Sequence, residues 1–237
     1  MKTAIFGFAG SGKTELFQAM TGPRTTLTDR AMVKVPEPRL EPLSRYFRPR
    51  KITPTEIEYL DIRGAGGKSS SLGERIFNEI RSFDCLVAVL DNFSGLLDPK
   101  KQYQSIETDL IIADLAVAEK RLERIGQDKK KAAHLVDARQ ELLLQQASSL
   151  LEEEIPLRSD PALSQNPELR GFCFLSAKPI LYVWNCAEQN LGATGLPEAA
   201  PGQTHLEICA ILEKELAEIE DPLERQEFLQ DLGLKES

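Results

Sequence analysis

The segment GFAGSGKT at residues 7–14 constrains the fold more strongly than any other part of the sequence. It matches the pattern Gly-x-x-x-x-Gly-Lys-Ser/Thr and lies between an apolar run and a predicted helix at about residues 13–20. In such a loop, successive backbone N–H groups point at an anion, and the following helix adds the positive end of its dipole. The segment therefore predicts a phosphate-binding loop that holds a nucleoside triphosphate.

Each position of this loop has an expected role. The Lys13 side chain reaches the β- and γ-phosphate oxygens, and the Thr14 hydroxyl ligates magnesium. We expect the nucleotide to be bound by the residues Gly7, Gly10, Ser11, Gly12, Lys13, Thr14 and Glu15.

Five short runs of β-type residues predict strands, at residues 3–7, 57–62, 85–90, 180–185 and 206–210. They are nearly continuously apolar rather than alternating, which is typical of a parallel sheet with both faces covered. Helical segments lie between them. The sequence therefore predicts the α/β class: a P-loop NTPase with a mainly parallel sheet and helices on both faces.

Residues 105–154 predict two long helices. The stretch has no proline and one glycine, Gly126, and its apolar residues recur every three or four positions. We place the turn at residues 126–128 and expect an antiparallel hairpin, because each apolar stripe needs a partner. The four prolines of residues 156–179 predict an irregular return to the sheet.

The predicted domain organisation follows from the insertion of this helical hairpin into the nucleotide-binding domain. Residues 1–103 form the first part of the nucleotide-binding domain, and residues 104–156 form the inserted helical hairpin. Residues 157–237 form the return segment and the second part of the nucleotide-binding domain.

The acidic composition excludes a chain that binds nucleic acid over its whole surface, because 37 acidic residues against 29 basic ones give a net charge of −8. A nucleic-acid contact needs a local patch. The candidates are the basic segment from Arg45 to Lys51, which contains two aromatic residues, and the lysines at 129–131 near the hairpin tip. Both patterns are also typical of solvated surface, the first with its aromatic residues as anchors.

The four cysteines stand far apart in apolar surroundings, which predicts reduced core thiols rather than a zinc or redox site: Cys85, Cys173, Cys186 and Cys209. No apolar run reaches the ~18 residues of a membrane span. The first residues lead directly into a strand rather than a signal peptide. We therefore expect a cytoplasmic protein without a membrane contact.

A P-loop enzyme also needs an acidic group at the end of a neighbouring strand, to support the metal ion and sense the γ-phosphate. Asp61 ends such a strand in IEYLDIRG, and Gly64 completes the motif Asp-x-x-Gly. The Gly64 N–H can bond the γ-phosphate. The predicted catalytic set is therefore Lys13, Asp61 and Gly64.

Five segments of the chain resemble, in order, those of the Obg-like ATPases of the YchF type: VPEPRLEPL, TPTEIEYLDIRG, ADLAVAEKRLERI, KPILYVWNCAE and ERQEFLQDLGL. The resemblance runs over nearly the whole chain. It implies a GTPase-like domain that carries a coiled-coil insertion, binds ATP and associates with the ribosome. Family members continue past the last segment into a further small β-rich (TGS) domain, whereas this sequence ends at Ser237.

The resemblance also implies a base-recognition site at residues 185–188. GTPases carry Asn-Lys-x-Asp there, but this chain has Asn185 and Glu188. A glutamate is one methylene longer, so its carboxylate cannot occupy the aspartate position without displacing guanine, and most of the preference for guanine is removed. The alternative is that Glu188 is an incidental acid at a helix N-terminus. The resemblance assigns ATP, with GTP as the alternative nucleotide, and Trp184 is expected to pack in the core.

A second base contact is expected where the last predicted strand ends, from the backbone amides of Cys209 and Ala210. The segment Ser-Ala-Lys at residues 176–178 imitates the base loop of GTPases, but it comes too early in the chain.

The family pattern places the switch threonine that completes the magnesium shell at Thr25, with Thr26 and Thr28 as alternatives. Magnesium is therefore expected to be held by Thr14, Thr25 and Asp61. Potassium stimulation is doubtful, because Gly10 replaces the family asparagine. Ala65 stands where many GTPases have a water-orienting glutamine, so slow intrinsic turnover is expected.

Two functions remain open from the sequence. The first is an enzyme that slowly hydrolyses ATP with magnesium and acts as a nucleotide-dependent switch linked to the ribosome. The second is a nucleotide-gated module that binds RNA or the ribosome with negligible hydrolysis. The segment after Gly64, which is shorter than in the family, distinguishes them because it carries the water-positioning groups.

Overall fold

The computed structural model describes residues 1–22, 29–62, 73–132, 137–193, 195–219 and 221–231. The predicted switch residues Thr25 and Gly64 lie outside these ranges, as do Thr26, Thr28 and Ala65.

In the described residues, six strands form one sheet in the order β2-β3-β1-β4-β5-β6. Their bounds are β1 Lys2–Gly7, β2 Arg30–Lys34, β3 Glu56–Asp61, β4 Cys85–Asn92, β5 Ile180–Cys186 and β6 Gln203–Ile208. All neighbouring pairs are parallel except β2 with β3. The parallel strands therefore bring their carboxyl ends to one edge, where ligands bind in sheets of this kind.

The helices of the described residues connect these strands. Their bounds are α1 Lys13–Thr21, α2 Leu40–Phe47, α3 Glu74–Ile80, α4 Pro99–Ala132, α5 Ala138–Glu152, α6 Pro161–Ser164, α7 Ala210–Glu218 and α8 Pro222–Asp231. Short 3-10 turns occupy Leu157–Ser159, Arg170–Phe172 and Glu188–Asn190. None of the helices within the described ranges is long and apolar enough to cross a membrane.

Both faces of the sheet are covered, as predicted. On one face Phe6, Leu86 and Trp184 pack with residues of α3 and α4. On the other face Ile5 and Val87 pack with residues of α1 and α7. The predicted α/β fold with a mainly parallel sheet is confirmed, and Trp184 is fully buried in its core.

The outer strands depart from the prediction. β2 was missed, because its exposed and half-buried residues alternate at the sheet edge instead of forming an apolar run. The last strand was predicted at residues 206–210 but is Gln203–Ile208, and it also alternates. Continuous apolar runs therefore identify only the central strands, whose two faces are both buried.

The helical insertion is a hairpin, but the predicted turn at residues 126–128 is wrong. Helix α4 continues through Gly126 to Ala132, and α5 begins after Asp137, which caps it by accepting from the Arg139 N–H. One glycine costs about 1 kcal/mol in a helix interior, and the buried Ile125 keeps this turn packed. Because α4 begins at Pro99, the predicted boundary after residue 103 falls within it.

The hairpin helices run antiparallel and pack over a common apolar core. Lys129 pairs with Glu141 at 2.6 Å, and the Arg121 guanidinium donates to Gln140 Oε1 at 2.9 Å. Their apolar contact includes Ala118, Leu144 and Leu151, which are all buried. Each stripe is therefore covered by the other helix, as its periodicity predicted.

The buried carboxylate of Asp114 joins the hairpin to the return segment. It accepts from the Leu175 and Ser176 backbone N–H groups at 2.9 and 2.7 Å, and from Arg81 at 2.8 Å. The segment Ser-Ala-Lys thus contributes its Ser176 N–H to this anchor and does not line the nucleotide cavity described below. This position agrees with the expectation that Ser-Ala-Lys is not the base-recognition loop.

The prediction that all four cysteines are core thiols is wrong for Cys173, which is exposed, and Cys85 is only half-buried. Cys173 follows a 3-10 turn in the left-handed backbone region, with φ of 51°. Apolar neighbours in the sequence do not predict burial here, because this turn places the side chain at the surface.

The Asp114 anchor makes a prediction about stability. Replacing Asp114 with alanine leaves two buried N–H groups and the Arg81 guanidinium without their acceptor, so we expect the free energy of unfolding to fall by about 3 kcal/mol. Urea denaturation measures this change, provided that the dependence of the unfolding free energy on urea concentration is the same in both proteins. Asp128→Ala on the exposed surface of α4 is the control, and equal losses in the two variants would contradict the assignment.

Candidate nucleotide-binding site

The phosphate-binding loop is held by two glycines with close neighbours. A Cβ at Gly7 would overlap the Val89 carbonyl oxygen, and a Cβ at Gly12 would overlap Asn185 Nδ2. Both residues also have positive φ, 148° and 88°, which side chains rarely adopt. The two fixed glycines of the motif are therefore required by the packing of the loop against β4 and β5.

Lys13 lies at the start of α1 and is buried. Its Nζ donates to the Phe8 carbonyl oxygen at 2.6 Å, so the side chain folds back along the loop. Burial lowers the pKa of Lys13, while the charges of Asp61 and Glu15 oppose this shift. An anion in the loop would favour the charged form of this lysine, because it supplies a further opposite charge.

Thr14 and Asp61 meet as the motifs predict. The Thr14 hydroxyl donates to Asp61 Oδ2 at 3.0 Å, although the residues are 47 positions apart. Parallel pairing of β1 with β3 sets this contact, because Asp61 pairs with Ile5 two residues before the loop. A hydroxyl and a carboxylate are therefore together beside the predicted phosphate position.

Asn185 ties the loop to the opposite side of the site. Its Nδ2 donates to the Ser11 carbonyl oxygen, and its Oδ1 accepts from the Ala210 N–H, both at 2.9 Å. The side chain is buried. The Ala210 N–H, which was predicted to contact the base, therefore donates to Asn185 in this structure, and a base contact would have to replace that hydrogen bond.

A cavity of about 590 Å³ opens at this edge of the sheet. This volume is typical of small-molecule sites. Predicted residues that line it are Gly10, Gly12, Lys13, Thr14, Glu15, Asn185, Glu188 and Cys209. The loop and the segment at residues 185–188 thus face one space, with exposed Glu188 at its rim.

Other predicted residues support the cavity without lining it. Gly7, Ser11, Asp61 and Ala210 are not among the residues that line it, although each contacts one that does or the loop itself. The hydroxyl of Ser11 is buried and has no hydrogen-bond partner among the described residues. These residues support the loop and its surroundings, whereas the lining residues are the ones that a ligand in the cavity would contact.

Sequence reasoning missed four lining residues: Phe93, Ile211, Leu212 and Glu215. Phe93 follows β4 directly, and the other three lie in the first turns of α7. Their signal was available, because residues that follow the carboxyl end of a parallel strand lie at this edge of the sheet. They add apolar surface and one carboxylate to the cavity lining.

Cys186 also lines the cavity, and its thiol is not expected to act as a nucleophile. Burial raises the pKa of Cys186 to about 12, so the thiol stays protonated at neutral pH. Its Sγ donates to the Ile208 carbonyl oxygen at 3.2 Å. The residue therefore packs between β5 and β6.

The glycine loop, the Thr14 and Asp61 pair and the mainly parallel sheet define a P-loop NTPase. The chain is 31% identical over 268 aligned positions to the ribosome-binding ATPase YchF of Bacillus subtilis, covering 100% of this chain and 72% of that relative. With the YchF of Escherichia coli O157:H7 it is 31% identical, covering 99% and 72%. The chain belongs to the YchF family of Obg-like ATPases, as its motifs predicted.

Solved structures agree with this fold. The YchF GTPase of Schizosaccharomyces pombe matches 99% of this chain and 72% of its own with a TM-score of 0.80 and 22% identity. A GTP-binding protein of Pyrococcus horikoshii matches 99% of this chain and 74% of its own with a TM-score of 0.55 and 12% identity. No protein-family model matches the chain.

Proposed function

We propose that the protein binds ATP with magnesium, hydrolyses it slowly and acts as a nucleotide-dependent switch. The observation that carries this proposal is one cavity of about 590 Å³ that is lined both by Lys13 and Thr14 of the loop and by Glu188. A triphosphate on the loop would direct its base toward Glu188. GTP is the alternative nucleotide.

Magnesium fits the oxygen atoms of Thr14 and Asp61. In an octahedral shell with bonds of 2.0–2.1 Å, neighbouring ligand atoms lie about 2.9 Å apart. Thr14 Oγ1 and Asp61 Oδ2 are 3.0 Å apart, which suits two neighbouring positions, and Thr25 is the proposed third protein ligand. The bound ion would neutralise charge on the β- and γ-phosphates.

The residues of the chain have distinct proposed roles in catalysis. Lys13 would turn from Phe8 to the phosphate oxygens, and the Gly64 N–H would bond the γ-phosphate. Ala65 cannot orient a water molecule, because its side chain has no donor or acceptor. We therefore expect slow intrinsic turnover, because none of the motifs identified in this sequence supplies another group that would orient the attacking water molecule.

Base selection is proposed to depend on Glu188, with Asn185 in a supporting role. The two hydrogen bonds of Asn185 to Ser11 and Ala210 hold the loop and α7 in place. Glu188 is exposed at the cavity rim and can accept from an amino group of the base. Phe93 offers an aromatic ring to the base from the opposite wall.

Ribosome association is the proposed cellular role, because several relatives are named ribosome-binding ATPases. Such a protein would act in the cytoplasm. The basic segment from Arg45 to Lys51 offers a contact: Tyr46 and Phe47 are 81% and 70% exposed. The two rings therefore do not anchor the segment to the core, while a solvated surface stays the alternative interpretation of the segment. The lysines near the hairpin tip are a second candidate.

The alternative is a nucleotide-gated module that binds RNA or the ribosome with negligible hydrolysis. The exposed aromatic residues beside Arg48 and Arg50 favour it, because base stacking next to phosphate contacts is typical of single-stranded RNA binding. Both functions use the same nucleotide cavity. They differ in whether bound ATP turns over.

Lys13→Ala tests nucleotide binding and turnover. Losing the charged partner of the phosphates should weaken ATP affinity by at least about 30-fold, or about 2 kcal/mol, and reduce phosphate release to background. Calorimetric titration with magnesium and a phosphate-release assay measure both quantities. Lys34→Ala on β2 is the control. Tight ATP binding with release no faster than in Lys13→Ala would favour the binding module.

Glu188→Asp tests base selection. Shortening the side chain by one methylene brings the carboxylate toward the position it has in guanine-specific sites, so the ratio of GTP to ATP affinity should rise about tenfold or more. Competition between the two nucleotides measures the ratio. Glu215→Asp, in the same cavity, is the matched control. Equal or stronger binding of GTP by the unchanged protein would reject the role of Glu188.

Charge reversal tests the ribosomal contact. Arg50→Glu with Lys51→Glu should weaken co-sedimentation with ribosomes and make it less salt-dependent, by about one slope unit per lost phosphate contact. The double reversal Lys100→Glu with Lys101→Glu, at the exposed start of α4, is the control. Equal effects of the two pairs would exclude a specific contact at the basic segment.

A further inference from the structure

We propose that a second cavity, at the base of the hairpin, binds a small anion of the phosphate or carboxylate class that carries an apolar group. The cavity has a volume of about 460 Å³. Its lining includes Asp84 and Pro179, which directly precede β4 and β5. It therefore lies at the amino-terminal edge of the sheet, opposite the nucleotide cavity.

The charge of this cavity is unlike that of the chain. Three cations line it, Arg81, Arg170 and Lys178, against one carboxylate, Asp84, among the described residues. The Asp84 carboxylate also accepts from the Lys2 backbone N–H at 2.8 Å. Because Arg81 is already paired with the buried Asp114, the excess positive charge comes from Arg170 and Lys178 against Asp84, and in a protein of net charge −8 such a local excess attracts anions.

The charged form of Lys178 would be stabilised by an anion bound in the cavity. Its Nζ donates to the Arg81 carbonyl oxygen at 3.0 Å and to the Phe83 carbonyl oxygen, which leaves one of its three N–H groups for a ligand. No carboxylate of the described residues forms an ion pair with it. Burial lowers the pKa of Lys178, so a bound anion would stabilise its charged form.

Arg81 is held in a fixed orientation at the same wall. Its guanidinium donates to Asp114 Oδ1 at 2.8 Å, to the Ala113 carbonyl oxygen at 2.9 Å and to the Cys173 carbonyl oxygen at 3.2 Å. A guanidinium has five N–H groups, so two remain. Because its other bonds fix the side chain, little conformational entropy is lost when a ligand accepts from it.

The remaining walls explain why the ligand should carry an apolar group. Phe83, Leu163, Leu169 and Phe174 line the cavity. Phe174 is also stacked on Phe172, with ring centroids 5.5 Å apart, so its ring is fixed in place. A cavity of this size with apolar walls and a few convergent donors suits a small amphipathic anion better than a bare ion.

Cys173 gives the cavity a local reporter. Its thiol is exposed and lies in the lining, whereas Cys186 and Cys209 are buried and Cys85 is half-buried with its pKa raised by burial. A ligand in the cavity should therefore shield Cys173 from a neutral alkylating reagent. Mass spectrometry resolves labelling at each cysteine separately.

The experiment measures the rate at which iodoacetamide labels Cys173 in the full chain with phenyl phosphate, inorganic phosphate or benzyl alcohol. Phenyl phosphate at about ten times its Kd should slow labelling about tenfold. Inorganic phosphate should protect less, and neutral benzyl alcohol should not protect at equal concentration. Absence of protection by phenyl phosphate at millimolar concentration would overturn the proposal.

Two variants locate the effect. Arg170→Gln changes an exposed residue and should abolish most of the protection, as should Lys178→Gln if the variant folds. Lys13→Ala should leave protection unchanged, because the phosphate loop lies at the opposite edge of the sheet. Unchanged protection in Arg170→Gln, or its loss in Lys13→Ala, would overturn the proposal without bearing on ATP binding.

Discussion

The nucleotide site depends on the buried amide of Asn185. Through it the loop after β1 and the first residue of α7 are joined across the end of β5, by two hydrogen bonds of 2.9 Å. The contact is so close that residue 12 must be glycine. Removing a buried amide of this kind leaves both partners unsatisfied. The loop is therefore held by a residue 174 positions away in the sequence, and this structural role of Asn185 is why base selection is proposed for the neighbouring, exposed Glu188 instead.

The same sheet connects the hairpin to the nucleotide cavity. Gln102 in the first turn of α4 exchanges two hydrogen bonds with the backbone of Asp91, two residues before Phe93 in the cavity wall. One turn further, Glu107 accepts from Tyr182 on β5 and from Gln203 on β6. Helix α4 is thus hydrogen-bonded to three strands, and the carboxyl ends of these strands lead into residues that line the cavity.

The sequence predicted what local chemistry determines. The glycines of the loop, the strand before it and the meeting of Thr14 with Asp61 follow from motifs whose spacing is itself the constraint. Long-range packing could not be predicted. The Ala210 amide was assigned to the base because nothing near it in the sequence shows that its N–H donates a hydrogen bond to Asn185. The turn expected at Gly126 failed for the same reason, since tertiary contacts of Ile125 outweigh one weak helix former.

The electrostatics of the nucleotide cavity support the proposed divalent ion. Among the described lining residues, Lys13 is the only cation, whereas Glu15, Glu188 and Glu215 contribute three carboxylates. A triphosphate brought there alone would add to an existing excess of negative charge. The backbone N–H groups of the loop offset part of it through their dipoles. The proposed ion beside the phosphates would offset more of it, and the adjacent oxygens of Thr14 and Asp61 offer a position for that ion.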